Sequence, residues 1–415
     1  MNLQPPTNLK PQTSNLKPLC LMDEQQYKPE TEAVRIQIER TWQMEHSSPL
    51  FLTSSFCFDN VEEMRATFAD ETDFNIYSRF SNPNVDEFVR RVCALEQAEA
   101  GYATASGMSA IFASFMALMK AGDHLLSARS IFGSTHTVIT KFLPKWGISY
   151  DYFDVNDPNS VEALIKPNTR MIFIETPANP GLDIIDIEWL AKIADKHNII
   201  LNVDNCFATP VLQKPILLGA HLVTHSATKW MDGQGRVLGG VVVGKPELIK
   251  EIYAFCRSTG PSMSPFNAWV LSKSLETLHV RMERHSASAF ALAKALETHH
   301  QLNWVRYPLL ETHPQYAIAK KQMSGGGGIF CFELKGGLEQ GKRFLDALKM
   351  LTLTANLGDS RSIASHPAST THAKLTEDER GKVGITPGFI RISVGLENVQ
   401  DILQDIEQAL EASKA

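Results

Sequence analysis

Between Gly101 and Gly244 the sequence alternates short apolar runs with stretches of helical period, and this alternation narrows the possible folds more than any other feature. The runs are Gly101–Ala105, His124–Ala128, Ile148–Asp154, Met171–Thr176, Ile199–Asp204, Leu222–Ser226 and Gly240–Val243. After the first comes a stripe of Met108, Ile111, Phe112, Phe115, Met116 and Met119, the spacing of one apolar helix face. Glu188–His197 reads as helix in the same way. Parallel strands need a long crossover, and a helix supplies it, so the pattern predicts an α/β fold with a mostly parallel sheet. Ligands of such sheets lie beyond the carboxyl ends of the strands. The residues that close each apolar run are therefore the candidates for chemistry.

After Gly260 the pattern changes. Phe266–His299 reads as one or two helices, Gly327–Leu334, Leu351–Asn356 and Phe389–Leu396 as strands, and Val399–Ala412 as a closing helix. This predicts a smaller α+β domain over 263–415 behind a large domain over 82–262. The chain has 415 residues and is 43% hydrophobic, enough for more than one buried core. Its net charge of -6 argues against a nucleic-acid partner or an anionic membrane surface. The apolar run Ile111–Met119 is far short of the roughly 18 residues a membrane span needs. Six scattered cysteines without a C-x-x-C pair exclude a zinc ribbon and fit a reducing, cytoplasmic setting. The first 20 residues carry Pro5, Pro6, Pro11 and Pro18, lack the apolar core of a secretory signal, and read as a flexible tail.

Three local signals fail on chemical grounds. Gly336–Arg343 resembles a phosphate-binding loop, but Arg343 stands where Ser or Thr is needed. Gly233–Gly240 does not fit the dinucleotide fingerprint. His221 and His225 flank a strand-like stretch, which would hold them more than about 10 Å apart, so no metal site is expected there.

One constellation remains. Lys229 closes Ser226-Ala227-Thr228-Lys229, after a strand and before Gly233, Gly235, Gly239 and Gly240. A lysine that does covalent work must be partly desolvated, which frees its amine. Ser226 and Thr228 are placed to donate to a phosphate beside it. Asp204 ends the run Ile199–Asp204, and an acid at the end of a buried strand needs a cation. A structural ion pair would supply one, and so would a protonated pyridine nitrogen. Ser106, Gly107 and Met108 join a strand to the amphipathic helix, where backbone N–H groups bind phosphate. Taken together, these features ask for pyridoxal 5′-phosphate (PLP).

On these segments the chain resembles the Cys/Met-metabolism family of PLP-dependent enzymes, of aspartate-aminotransferase-like fold (fold type I). The resemblance runs from about Arg35 to the C-terminus. It rests on Tyr77–Asn82 (YSRFSN), Ala105–Ala110 (ASGMSA), Glu175–Pro180 (ETPANP), Val203–Asn205 (VDN), Ser226–Lys229 (SATK) and His366–His372 (HPASTTH). It implies that Lys229 carries PLP as a Schiff base and that Asp204 pairs the pyridine nitrogen. Ser106, Gly107, Met108, Ser226 and Thr228 would cradle the phosphate, with Glu175 and Asn179 near the cofactor. Tyr77 and Arg79, in an arm over residues 1–81, would reach the phosphate of a neighbouring subunit in a homotetramer built as a dimer of dimers. Arg391 would bind the substrate α-carboxylate, near Ser360.

The cofactor-stacking position implied by the resemblance is Phe132, where lyases and the transsulfuration synthase usually have Tyr. Phe stacks as well but has no proton to donate. Ser134 stands where methionine γ-lyases carry Cys. With Gly358–Arg361 (GDSR), these residues look most like the O-succinylhomoserine sulfhydrylase branch. The implied activity is γ-replacement of succinate by sulfide to give homocysteine in methionine biosynthesis. Cystathionine γ-synthase, O-acetylhomoserine sulfhydrylase and, further off, methionine γ-lyase remain the alternatives. Arg361 would contact the distal succinyl carboxylate or form a structural salt bridge.

Overall fold

The computed structural model describes residues 27–155, 157, 160–370, 380–381 and 384–414. The Pro-rich tail, Cys20 and the last two residues of the HPASTTH segment lie outside them. The predicted α/β sheet is present, with β1 (Ala100–Thr104), β2 (His124–Ala128), β3 (Ser149–Phe153), β4 (Thr169–Glu175), β5 (Ile200–Asp204), β6 (Leu222–Ser226) and β7 (Gly240–Gly244). Their order is β1-β7-β6-β5-β4-β2-β3, parallel except for β7, which runs antiparallel to both β1 and β6. Every residue of β1, β2, β5 and β7 is buried. That accounts for unbroken apolar runs where a one-sided sheet would alternate. The 107–118 helix packs on β6 and β7, and its Phe115 meets Phe173 of β4 edge to face at 5.2 Å.

A second sheet follows, ordered β10-β11-β12-β9-β8, from β8 (Leu302–Arg306), β9 (Ile329–Leu334), β10 (Thr352–Leu353), β11 (Ile363–Ser365) and β12 (Phe389–Ser393). Its own core includes Phe330, Phe332, Phe344, Ile390, Ile392 and Ile406. The helical stretch near 266–299 is two helices, Pro265–Leu275 and Leu278–Leu296. The buried Arg281 donates to Ser274 O at 2.9 Å across the break. The strand expected over Leu351–Asn356 shrinks to Thr352–Leu353, because the chain then leaves the sheet. Gly358, at φ 76°, lies so close that a Cβ would fall 2.7 Å from Trp230 N. A side chain there would prevent the 356–361 loop from resting on the turn that carries Lys229.

The Gly336–Arg343 stretch begins an ordinary helix, Gly337–Ala347, and Lys342 pairs with Glu339 at the surface. His221 and His225 have separate partners, Asp195 at 3.1 Å and Glu96 at 2.7 Å. No helix among the described residues is long and apolar enough to cross a membrane.

Candidate active site

Because β4, β5 and β6 are parallel, their last residues Glu175, Asp204 and Ser226 reach one edge of the sheet, with Glu175 level with Asp204. β1 ends at the same edge, and Ser106 caps the helix that follows by accepting from Ser109 N at 3.2 Å. Two glycines set how close this helix comes. A Cβ on Gly107 would lie 2.6 Å from Ser226 Cβ, and one on Gly240 would lie 2.1 Å from Ser106 O. The helix N-terminus is thereby pressed onto the ends of β6 and β7. Among the described residues the Gly107 and Met108 amides donate to nothing, and the Ser226 hydroxyl has no partner. Free N–H groups at the start of a helix, beside a free hydroxyl, form an anion cradle.

Lys229 lies on the turn after β6. The Thr228 hydroxyl donates to Gly239 O at 3.3 Å and accepts from Gly239 N at 3.1 Å, which pins the turn to the glycine-rich return. The Arg281 guanidinium caps it from below, donating to Trp230 O at 2.6 Å and Met231 O at 3.3 Å. Lys229 Nζ donates to Asn356 Oδ1 at 2.6 Å, and no carboxylate pairs with it among the described residues. Burial lowers its pKa, and the Arg391 charge acts in the same direction.

Asp204 is buried and its pKa rises to about 6 through desolvation, against the Cys206 N–H bond at 3.0 Å and the field of His225. Among the described residues it has no ion-pair partner, so the structural salt bridge weighed for it is not there. Burial and then the Asp204 charge push Glu175 well above the usual carboxylate range. Glu175 accepts from Phe132 N at 2.6 Å and Asn179 N at 2.9 Å, which holds the 130–135 segment and the 176–181 turn at the sheet edge.

Arg391, on β12, reaches the same place from the second sheet. It donates to Asn179 Oδ1 at 2.8 Å and Asn356 O at 3.2 Å, while its Nε is buried without a partner. No carboxylate neutralises it among the described residues, and burial lowers its pKa. A buried guanidinium without an anion is costly unless a ligand brings one. Asn356 was not picked out from the sequence. It closes the apolar run Leu351–Asn356, and the strand-end rule that singled out Asp204 applies to it equally.

The other expected residues are placed as follows. Phe132 leaves 41% of its surface exposed. Ser360 is tied by backbone bonds to Gly233 O and from Leu396 N, both 2.8 Å. Arg361 forks onto Asp359 with two 3.0 Å bonds and is 68% exposed, the salt-bridge arrangement weighed for it. Tyr77 and Arg79 are not brought to Lys229 within one chain. Arg79 donates to Arg257 O and lies over Phe80, and both residues line a concave surface with Leu52, Thr53, Ser262 and Pro265.

Among the described residues the site thus presents a buried carboxylate lacking a cation, a buried guanidinium lacking an anion, an amine of lowered pKa and an anion cradle. A ligand with a basic ring nitrogen, a phosphate and an amine-reactive carbon, followed by an amino acid, answers each in turn. A family model described as Cys/Met metabolism PLP-dependent enzyme matches residues 30–411. The chain belongs to this family. It is 47% identical over 383 residues to an O-succinylhomoserine sulfhydrylase of Pseudomonas aeruginosa, covering 92% of this chain and 95% of that one. It is 43% identical over 366 residues to an L-methionine gamma-lyase of Fusobacterium nucleatum, covering 88% and 93%. A solved structure of a putative O-acetylhomoserine (thiol)-lyase from Campylobacter jejuni superposes with a TM-score of 0.89 at 35% identity, covering 93% of this chain and 100% of that one. That structure carries N′-pyridoxyl-lysine-5′-monophosphate. The protein is therefore a PLP-dependent enzyme of fold type I acting in sulfur amino-acid metabolism.

Proposed function

We propose that the protein is an O-succinylhomoserine sulfhydrylase, which replaces the succinate of O-succinylhomoserine with sulfide and releases homocysteine. The observation that carries this reading is the 47% identity over 383 residues to the Pseudomonas aeruginosa O-succinylhomoserine sulfhydrylase, above the 43% over 366 to the L-methionine gamma-lyase. Phe132 supports it. A ring without a hydroxyl cannot protonate a departing thiolate, whereas succinate leaves as a stable carboxylate and needs little acid help.

When bound, PLP supplies a carbonyl carbon for amines and a ring that takes up charge from the substrate Cα. Asp204 holds a proton at the ring nitrogen. The Gly107 and Met108 amides, with Ser106, Ser226 and Thr228, bind the phosphate, and Phe132 covers the ring. Glu175 and Asn179 order its polar edge. Arg391 grips the α-carboxylate as a bidentate fork, with Ser360 beside it. Lys229 takes the Cα proton at Nζ, because burial leaves its amine available, would hand that proton on to the bound cofactor, and with its amine free again takes a Cβ proton. The γ C–O bond then breaks, succinate departs with the electron pair, sulfide forms the new C–S bond, and Lys229 returns one proton to Cβ and then one to Cα, which releases homocysteine. Arg361 exchanges Asp359 for the distal carboxylate of the ester. The protein is cytoplasmic and works as a homotetramer, a dimer of dimers in which Tyr77 and Arg79 complete a partner's site.

The test supplies purified holoenzyme with O-succinylhomoserine and either sulfide or cysteine, then with O-acetylhomoserine and with methionine alone. Homocysteine from the succinyl ester and sulfide, at the highest kcat/KM of the set, is expected. Faster cystathionine formation from cysteine would make the protein a synthase, and faster ammonia release from methionine would make it a lyase.

A further inference from the structure

Behind the cofactor edge lies a buried polar layer that the chemistry above does not use. Its centre is Glu96, the last residue of the Pro83–Glu96 helix, with a side chain that is fully buried. Nothing local favours an acid there. It sits at the negative end of the helix dipole. It is desolvated, and its Oε2 has no partner. Its other oxygen, Oε1, is shared by two groups: His225 Nε2 at 2.7 Å and Asn205 Nδ2 at 2.9 Å. Asn205 continues the layer. It also donates to Gln213 O at 2.9 Å and accepts from Gln213 Nε2 at 2.9 Å, and Gln213 Nε2 donates in turn to Thr176 O at 2.8 Å.

The three tethered positions share a relation to the site. Thr176 follows Glu175, Asn205 follows Asp204, and His225 precedes Ser226. The layer therefore joins the ends of β4, β5 and β6 one residue away from each residue assigned to the cofactor.

We propose that Glu96 is a positioning residue for PLP: by holding His225 and Asn205 on one oxygen, it fixes the strand ends that carry Asp204 and Ser226. This rests on the assignment of those two residues to the cofactor. A carboxylate oxygen accepts, so Asn205 Nδ2 and His225 Nε2 are the two donors to Oε1. Removing the shared acceptor leaves two buried donors unsatisfied, which costs more than the bonds themselves. Losing two at once is expected to loosen the site by more than the removal of an ordinary buried side chain.

The test prepares wild type, Glu96→Ala, Glu96→Gln, His225→Ala and His225→Gln as holoenzymes. It reads the PLP dissociation constant and the visible circular dichroism of bound PLP. Both alanine variants should bind PLP at least about tenfold more weakly and show altered dichroism. Both glutamine variants should recover to within about threefold of wild type, because each keeps a matching acceptor or donor. If Glu96→Ala does not fold, the His225 pair carries the test alone. Wild-type affinity and dichroism in the alanine variants would overturn the proposal, as would glutamine variants no better than alanine. Asp204→Ala is run in parallel. If that variant also keeps PLP at wild-type affinity, the cofactor assignment itself fails, a result distinct from failure of the Glu96 layer alone.

Discussion

In the proposed site Asp204 sets the needs of the cofactor against those of the fold, and the size of the conflict can be worked out. Burial lifts its carboxyl from an ordinary 3.8 to about 6. At about 1.4 kcal/mol per unit, keeping it ionised costs the cofactor-free protein about 3 kcal/mol. Because the folded value is the raised one, stability is fully retained below pH 4 and is lost as pH climbs through 6. Asp204→Asn keeps the shape and the acceptor for Cys206 N but never ionises. The apoprotein of that variant should therefore be more stable than wild type by about 3 kcal/mol at pH 8, and by about half that at pH 5. PLP should reverse the order, since only the carboxylate can pair with a protonated ring nitrogen. Urea midpoints of apo and holo forms, at both pH values and one protein concentration, check each part. An Asn apoprotein no more stable than wild type at pH 8, or a gap of equal size at pH 5, would refute the reasoning.

Other substitutions probe the remaining parts of the site. Lys229→Ala should lower turnover by at least about 10⁴-fold, and borohydride reduction of the wild-type holoenzyme should fix the cofactor to the peptide containing Lys229. Gly107→Ala drives a Cβ to 2.6 Å from Ser226 and should cost about 1–3 kcal/mol, read as weaker PLP binding with the second sheet undisturbed. Asn356→Ala removes the acceptor of the Lys229 amine and should lower kcat roughly tenfold, with a smaller change in KM because Arg391 contacts only the Asn356 backbone.

The large sheet was legible because its strands are buried on both faces, so each run stands out as continuous apolar sequence. β2 and β6 fall on the residues the sequence indicates, and the other five lie within two residues of theirs. The Pro83–Glu96 helix is harder to read from sequence, although its start is marked by Asn82, which caps Asn84 N, with Pro83 in the first position. Its apolar stripe is interrupted by Glu87 and Arg91, which are buried as an ion pair and so look like surface in a linear reading. Lys229, Asp204 and the 106–108 turn could be found because each closes or follows a run that is itself readable. The strand-end rule marks Asn356, but not its partner, because the run leaves the sheet early to meet a turn more than a hundred residues away. Contacts of that span have no local signature, and the buried Glu96 layer is of the same kind.

The turn bearing Lys229 is gripped by Gly239, Arg281, Asn356 and Gly358, and its neighbour Arg391 comes later still. During synthesis the lysine emerges more than a hundred residues before Asn356 and Gly358. The amine gains its hydrogen-bond acceptor only once Asn356 is in place, so in the proposed reading a chain that stops short of it lacks a preorganised site for the cofactor. Maturation of the proposed site is thus tied to the second sheet, and a ribosome-stalled fragment ending before residue 356 should stay colourless however much cofactor surrounds it.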